Sequence, residues 1–150
     1  MGTRLAGCTV LSLRPVGGHE ALRRAAAAEA ARVLALAPWR LVPREDPGTR
    51  RTLALALAAP VVVFTSPRAV GCAAAHLPLR VPPGAHWLAV GSGTAAALDR
   101  AGVAAHAPSR MDTEGLLALP WLQAVDGVDV GLVTAPGGRG ALAPELARRG

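Results

Sequence analysis

A chain of 150 residues with 51% hydrophobic and 17% charged side chains has the apolar content for one packed domain and is not a disordered polymer. Its formal charge of +6 comes from basic residues that are all Arg, with no Lys, Ile, Asn or Tyr anywhere, a usage that looks like GC-rich coding. The Arg residues are dispersed, Arg23-Arg24, Arg50-Arg51 and Arg148-Arg149 being the densest pairs, and aromatics make up only 3%; charge without stacking residues or a motif argues against nucleic acid and leaves a general liking for polyanions.

The first element reads as a buried strand over Cys8 to Leu13, with Arg14-Pro15-Val16-Gly17-Gly18 as its turn. His19 to Leu36 reads as a helix, because Leu22, Ala26, Ala30, Val33 and Ala37 recur every three or four residues and form one apolar face. Pro38 ends it, and Trp39 to Val42 reads as a second short strand. The stretch Pro43-Arg44-Glu45-Asp46-Pro47-Gly48 is a charged, Pro-rich crossing segment of the kind found between domains.

Beyond that crossing the pattern alternates strictly. A helix from about Arg50 to Ala59 precedes a strand at Val61 to Phe64, a helix at Pro67 to His76, a strand at Trp87 to Val90 and a helix at Ala95 to Arg100. A strand near Ala104 to Ala107, a helix opening at Thr113, a strand at Val130 to Thr134 and a helix from about Ala141 to Arg149 complete the series. Such alternation predicts an α/β fold, a doubly wound parallel sheet of the flavodoxin-like kind. Ligands of such sheets sit beyond the carboxyl ends of the strands. That rule singles out Thr65-Ser66, Gly91-Ser92-Gly93-Thr94 and the loop Ala135 to Arg139 with Gly137 and Gly138. Ser66 is a good N-cap and Pro67 suits the first helical position, so free amides and a positive helix end face whatever lies above the strand.

The remaining chemistry-bearing residues are sparse. Cys8 and Cys72 lack metal-ligand spacing and read as small buried residues; His19, His76, His86 and His106 are spread out and read as structural, so no metal site is expected. Trp39, Trp87 and Trp121 read as core or cleft-wall residues, and Glu114 as a first-turn helix charge. No signal peptide is evident, and the uncharged run from Thr52 to Pro67 is broken by Pro60 and falls short of the roughly 20 apolar residues of a membrane span, so a cytoplasmic protein without membrane contact is expected.

Four segments in series resemble uroporphyrinogen-III synthases: Phe64-Thr65-Ser66-Pro67-Arg68-Ala69-Val70; Ala89-Val90-Gly91-Ser92-Gly93-Thr94-Ala95-Ala96-Ala97-Leu98 with Gly102; Asp112-Thr113-Glu114-Gly115-Leu116-Leu117; and Gly137-Gly138-Arg139 with Leu142, Leu146 and Gly150. Each is a weak motif singly, but their order after an Arg14-Pro15 first turn is specific. The resemblance implies two similar doubly wound domains, the second inserted into the first, with the substrate held between them. By it, residues 1–43 open the first domain, and 44–150 form the second without its last strand. Family members continue past an Arg-Gly like the one at Arg149-Gly150 through a strand bearing a Tyr associated with proton transfer, and return to complete the first domain. The chain as given is therefore expected to be an incomplete fragment, weakly active or inactive, its N-terminal part poorly anchored or packed in a way unlike the family's. A complete protein would be a monomer, whereas open sheet edges would favour association of a fragment.

The implied reaction is the cyclisation of hydroxymethylbilane with inversion of ring D, without a cofactor. The substrate is a small-molecule polycarboxylate tetrapyrrole that closes unaided to the uninverted isomer, so the protein's task is orientation of a flexible polyanion. Amides at helix starts, hydroxyls and net positive charge suit its carboxylates. Thr94 and Ser66 stand as catalytic or substrate-side hydroxyls, with Thr94 the better placed to aid hydroxyl departure; the equally simple reading is that Ser66, Ser92 or Thr94 caps its helix. Arg14, Thr65, Gly91, Ser92, Gly93, Gly137, Gly138 and Arg139 complete the candidate substrate-binding set, with Arg14 and Arg139 as carboxylate partners or solvated surface charges. The alternative is a non-enzymatic flavodoxin-like module that binds an anion or a partner. A nucleotide site is disfavoured, since Gly91-Ser92-Gly93-Thr94 lacks the dinucleotide glycine pattern and no acidic residue ends the next strand.

Overall fold

The computed structural model describes residues 4–135 and 140–150, and divides into two units, Met1–Pro43 and Arg44–Gly150. The first unit consists of β1 (Thr9–Ser12), α1 (Glu20–Ala28) and β2 (Arg32–Ala35), the two strands lying parallel with Leu11 opposite Leu34.

The helix expected over His19 to Leu36 is therefore only its first half. Ala30 takes a left-handed conformation with φ 55°, Ala30 N–H donates to the Ala27 carbonyl at 3.0 Å and Ala31 N–H to the Ala26 carbonyl at 2.9 Å. This is the Schellman stop, formed here on alanine where glycine is usual. The chain then donates from Arg32 N–H to the Cys8 carbonyl and from Leu36 N–H to the Ser12 carbonyl, so pairing with β1 overrides helical propensity. Val33 and Ala35 are half-buried while Arg32 and Leu34 are exposed, a period of two that a helical reading had absorbed.

No strand forms over Trp39 to Val42; Trp39 instead pins the loop, its indole N–H reaching the Leu13 carbonyl and its own carbonyl accepting from Val16 N–H. Trp39 and Cys8 are exposed, against the expectation of burial. Behind β1, the buried Ser12 hydroxyl and the buried His19 Nδ1 lie 2.9 Å apart. On the other face Leu11, Leu13, Leu34 and Leu36 are all about half exposed.

The second unit holds α2 (Pro47–Leu57), β3 (Val61–Phe64), α3 (Pro67–His76), β4 (His86–Ala89), α4 (Ser92–Arg100), α5 (Thr113–Leu117), α6 (Pro120–Gln123), β5 (Val130–Val133) and α7 (Leu142–Arg149). The helix read from Arg50 begins three residues earlier, because Asp46 caps it: Oδ1 accepts from Thr49 N–H at 2.8 Å and Pro47 takes the first position. What looked like linker is thus the helix start. The expected strand at Ala104 to Ala107 shrinks to one parallel bridge, with His106 N–H donating to the Trp87 carbonyl and His106 carbonyl accepting from Ala89 N–H.

The sheet order is β4-β3-β5, all parallel, with β3 central and every one of its residues buried. Alternate β3 residues feed two cores. Val62 and Phe64 pack with Leu57, Val70, Trp87 and Leu98 on one side, while Val61 and Val63 pack with Leu88, Leu116, Leu122 and Leu146 on the other. A strand covered on both faces reads as a continuous apolar run, which is why Val61 to Phe64 lacks alternation. This is the doubly wound arrangement. No helix among the described residues is long and apolar enough to cross a membrane.

Candidate functional site

In-register pairing brings three strand ends level: Phe64 lies opposite Ala89 on one side and Val133 on the other. The residues just beyond them, Thr65-Ser66, Val90-Gly91 and Thr134-Ala135, therefore share one rim. Backbone bonds hold it, with Val90 N–H donating to the Phe64 carbonyl at 3.1 Å and Thr65 N–H to the Val133 carbonyl at 3.2 Å.

Ser66 is extended and half-buried, and its hydroxyl accepts from Ala69 N–H at 3.1 Å. The hydroxyl thus acts as the cap of α3, the simpler of its two readings. Gly91 is buried and extended, and a Cβ there would lie 3.1 Å from the Met111 Cβ, so Met111 packs closely over the turn. Ser92 hydroxyl points to the Met111 sulfur at 3.3 Å rather than to a backbone amide, and among the described residues α4 has no side-chain cap. Gly93 faces α3, with the Pro67 ring 3.7 Å from where its Cβ would lie. The starts of α3 and α4 are consequently neighbours on the rim.

Thr94, expected to present its hydroxyl to a substrate, sits in the first turn of α4 with only 3% of its surface exposed. It lines the inner side of the rim, because α4 must turn its buried face, which also carries Leu98, toward the sheet. Gly137, Gly138 and Arg139 lie outside the described residues. Arg14 is exposed and belongs to the other unit, just after β1.

Sequence reading missed two rim residues. Thr134 follows β5 as Thr65 follows β3, and the two hydroxyls are 2.9 Å apart; its signal was the repeated strand-then-threonine pattern. Met111 carried no signal, since a lone methionine in a loop reveals nothing about what it covers.

The third motif is structural. Asp112 Oδ1 accepts from Gly115 N–H at 2.8 Å and caps α5, Leu116 is buried in the core, and Glu114 stands in the first turn where its charge favours the helix dipole. Arg110 pairs with Asp112, and that hydrogen bond raises the Arg110 guanidinium above its ordinary value. His86 and His106, far apart in sequence, both lie against Trp121, with His106 stacked at 4.2 Å between centroids. His86 begins β4, at the end opposite the rim. Among the described residues no three His, Cys, Asp or Glu side chains gather as metal ligands. The rim offers amides and hydroxyls, which suit binding and orientation of an anion.

The fold defines a doubly wound parallel α/β protein, a class whose ligands sit at the carboxyl ends of the strands. The family model described as uroporphyrinogen-III synthase HemD matches residues 7–150. The chain belongs to the uroporphyrinogen-III synthase family. Among solved structures, a mutant uroporphyrinogen III synthase of the extremely thermophilic bacterium Thermus thermophilus is similar with a TM-score of 0.63 and 24% identity, over 95% of this chain and 58% of that one. Uroporphyrinogen-III synthetase of Helicobacter pylori is similar with a TM-score of 0.57 and 15% identity, over 75% of this chain and 52% of that one. The chain thus spans less than two thirds of the length of these solved proteins. The comparison with curated proteins found no match.

Proposed function

We propose that this chain is the larger part of a uroporphyrinogen-III synthase, which cyclises hydroxymethylbilane with inversion of ring D. The observation that carries the reading is the family match over residues 7–150 together with the level rim of Thr65, Ser66, Gly91 and Ser92. In this reading residues 1–43 open one lobe and 44–150 make most of the other. The rim holds acetate and propionate groups through helix-start amides and hydroxyls, while Arg14 and Arg139 contribute charge. Loss of the substrate's hydroxyl gives an electrophile that the terminal pyrrole attacks at its substituted carbon, and the spiro intermediate then rearranges. Positioning is the catalytic contribution, since the uninverted closure needs no help. Thr94 acts from within the first turn of α4, either directly on the departing hydroxyl or by fixing the Gly91 turn. Such a protein works in the cytoplasm, as a monomer when both lobes are whole.

The exposed Leu11, Leu13, Leu34 and Leu36 face of the first unit supports dependence on further polypeptide. Accordingly the 150-residue chain is expected to give mainly the uninverted isomer when fed hydroxymethylbilane, and a chimera extended with the corresponding segment of the Thermus thermophilus protein the inverted one. Inverted isomer formed rapidly by the 150-residue chain overturns that dependence. A folded chimera that yields none overturns the cyclase reading.

A second reading draws on the burial of Thr94 and the engagement of Ser66 as a cap: a module that binds an anion or partner without transforming it. Binding of a polycarboxylate without conversion by either form would favour it.

A further inference from the structure

Thr65 and Thr134 form a hydroxyl pair at the tips of two adjacent parallel strands, and the pair's hydrogens are unequally committed. The two hydroxyl oxygens lie 2.9 Å apart, an ordinary O–H···O length that takes one of their two hydrogens, and the Val133 carbonyl is a poor alternative acceptor for Thr65 at 3.5 Å. The Thr134 hydrogen has the neighbouring Ala135 carbonyl at 3.4 Å, well beyond the usual range. Thr65 is half-buried and Thr134 is exposed, so an anion arriving from solvent meets the Thr134 hydroxyl, which can turn its hydrogen outward while accepting from Thr65. A hydroxyl that accepts one hydrogen bond is a stronger donor of its own proton.

We propose that Thr134 is a ligand-binding residue of the rim, its hydroxyl donating to a carboxylate of the polycarboxylate tetrapyrrole, and that Thr65 is its positioning residue. This deepens the reading given above and rests on it. The bond between Thr65 N–H and the Val133 carbonyl at 3.2 Å locks β3 to β5 directly beneath the pair, so the donor is built on two core strands rather than on a free loop. The incoming carboxylate replaces the long Ala135 contact, and no proton leaves the threonine.

The test is binding of uroporphyrin III, an octacarboxylate tetrapyrrole, followed by quenching of tryptophan fluorescence in the 150-residue chain. Thr134→Val should weaken binding about tenfold, the worth of one donor to a charged acceptor, with the melting temperature unchanged because the site is exposed. Thr134→Ser should restore wild-type affinity, and Thr65→Val should weaken binding by a smaller factor. Wild-type binding with an unaffected Thr134→Val variant overturns the role of Thr134 and leaves the functional reading standing, as does a Thr134→Ser variant as weak as the valine. Failure of both the wild-type chain and the chimera extended with the Thermus thermophilus segment to bind overturns both.

Discussion

The carbonyl oxygen of Arg110 occupies the space beside Gly115 where a side chain would begin: a Cβ on Gly115 would lie 1.9 Å from it. The approach lets the segment carrying Arg110 and Met111 fold back over the start of α5, where Asp112 caps the helix through Gly115 N–H. Because the obstructing atom belongs to the backbone, it has no rotamer with which to escape. Gly115→Ala is expected to cost about 3 kcal/mol or more, and a lowered urea midpoint with unchanged slope would register it. A variant as stable as the wild type would mean that the segment yields freely.

Ala30 ends α1 in a left-handed conformation that disfavours any side chain by roughly 1–2 kcal/mol, whereas glycine in its place adds about 0.5–1 kcal/mol of unfolded-state entropy cost. The difference leaves Ala30→Gly more stable by about 0.5–1 kcal/mol. The gain belongs to the first unit. Hydrogen exchange at Arg32 N–H and Leu36 N–H, both bonded to β1, should slow in the variant, and faster exchange there would refute the stop as described.

Glu145 links Arg148 at 2.7 Å with Arg149 at 2.9 Å, and these hydrogen bonds, first to Arg148 and then to Arg149, lower its carboxyl from the ordinary 4.5 to about 2. A depressed carboxylate stabilises the fold above its unfolded-state value, and that contribution is lost as pH falls from about 4.5 through about 2. Arg149 also donates to the Leu117 and Leu122 carbonyls, so the group joins α7 to α5 and α6. Glu145→Gln should therefore flatten the acid limb of a stability-against-pH curve in that window. Identical acid limbs, measured at low salt where screening is least, would deny the linkage.

Capping residues and continuous apolar runs made the second unit readable. Ser66-Pro67 placed α3 with the right ends, Pro67 to His76, because its N-cap and first-turn proline are local physics. Val61 to Phe64 read as a strand because a four-residue apolar run between Pro60 and Thr65-Ser66 is too short for a helix. The same local chemistry existed at Asp46-Pro47 but was masked by flanking charges and prolines that resemble a linker.

Where the reading failed, a partner distant in sequence had decided. Alanine-rich His19 to Leu36 satisfies a helical period, yet Arg32–Ala35 near its end pairs with β1, because two strands flanking one helix form a parallel unit that a continuous helix could not. The burial of Thr94, only 3% exposed in the first turn of α4, likewise comes from packing on the sheet and not from the glycine-rich turn that precedes it.

By itself the amino-acid order determined the alternation of the second unit, the helix starts at Ser66 and Asp112, and the family to which they belong, since caps, turns and apolar runs act over a few residues. The tertiary structure decided which strand ends stand level, that Thr134 meets Thr65, and that Met111 takes the Ser92 hydroxyl. Those contacts join residues 19 to 69 positions apart. No short-range preference specifies such a contact; it follows from strand order and register, which are set by burying both faces of β3 at once.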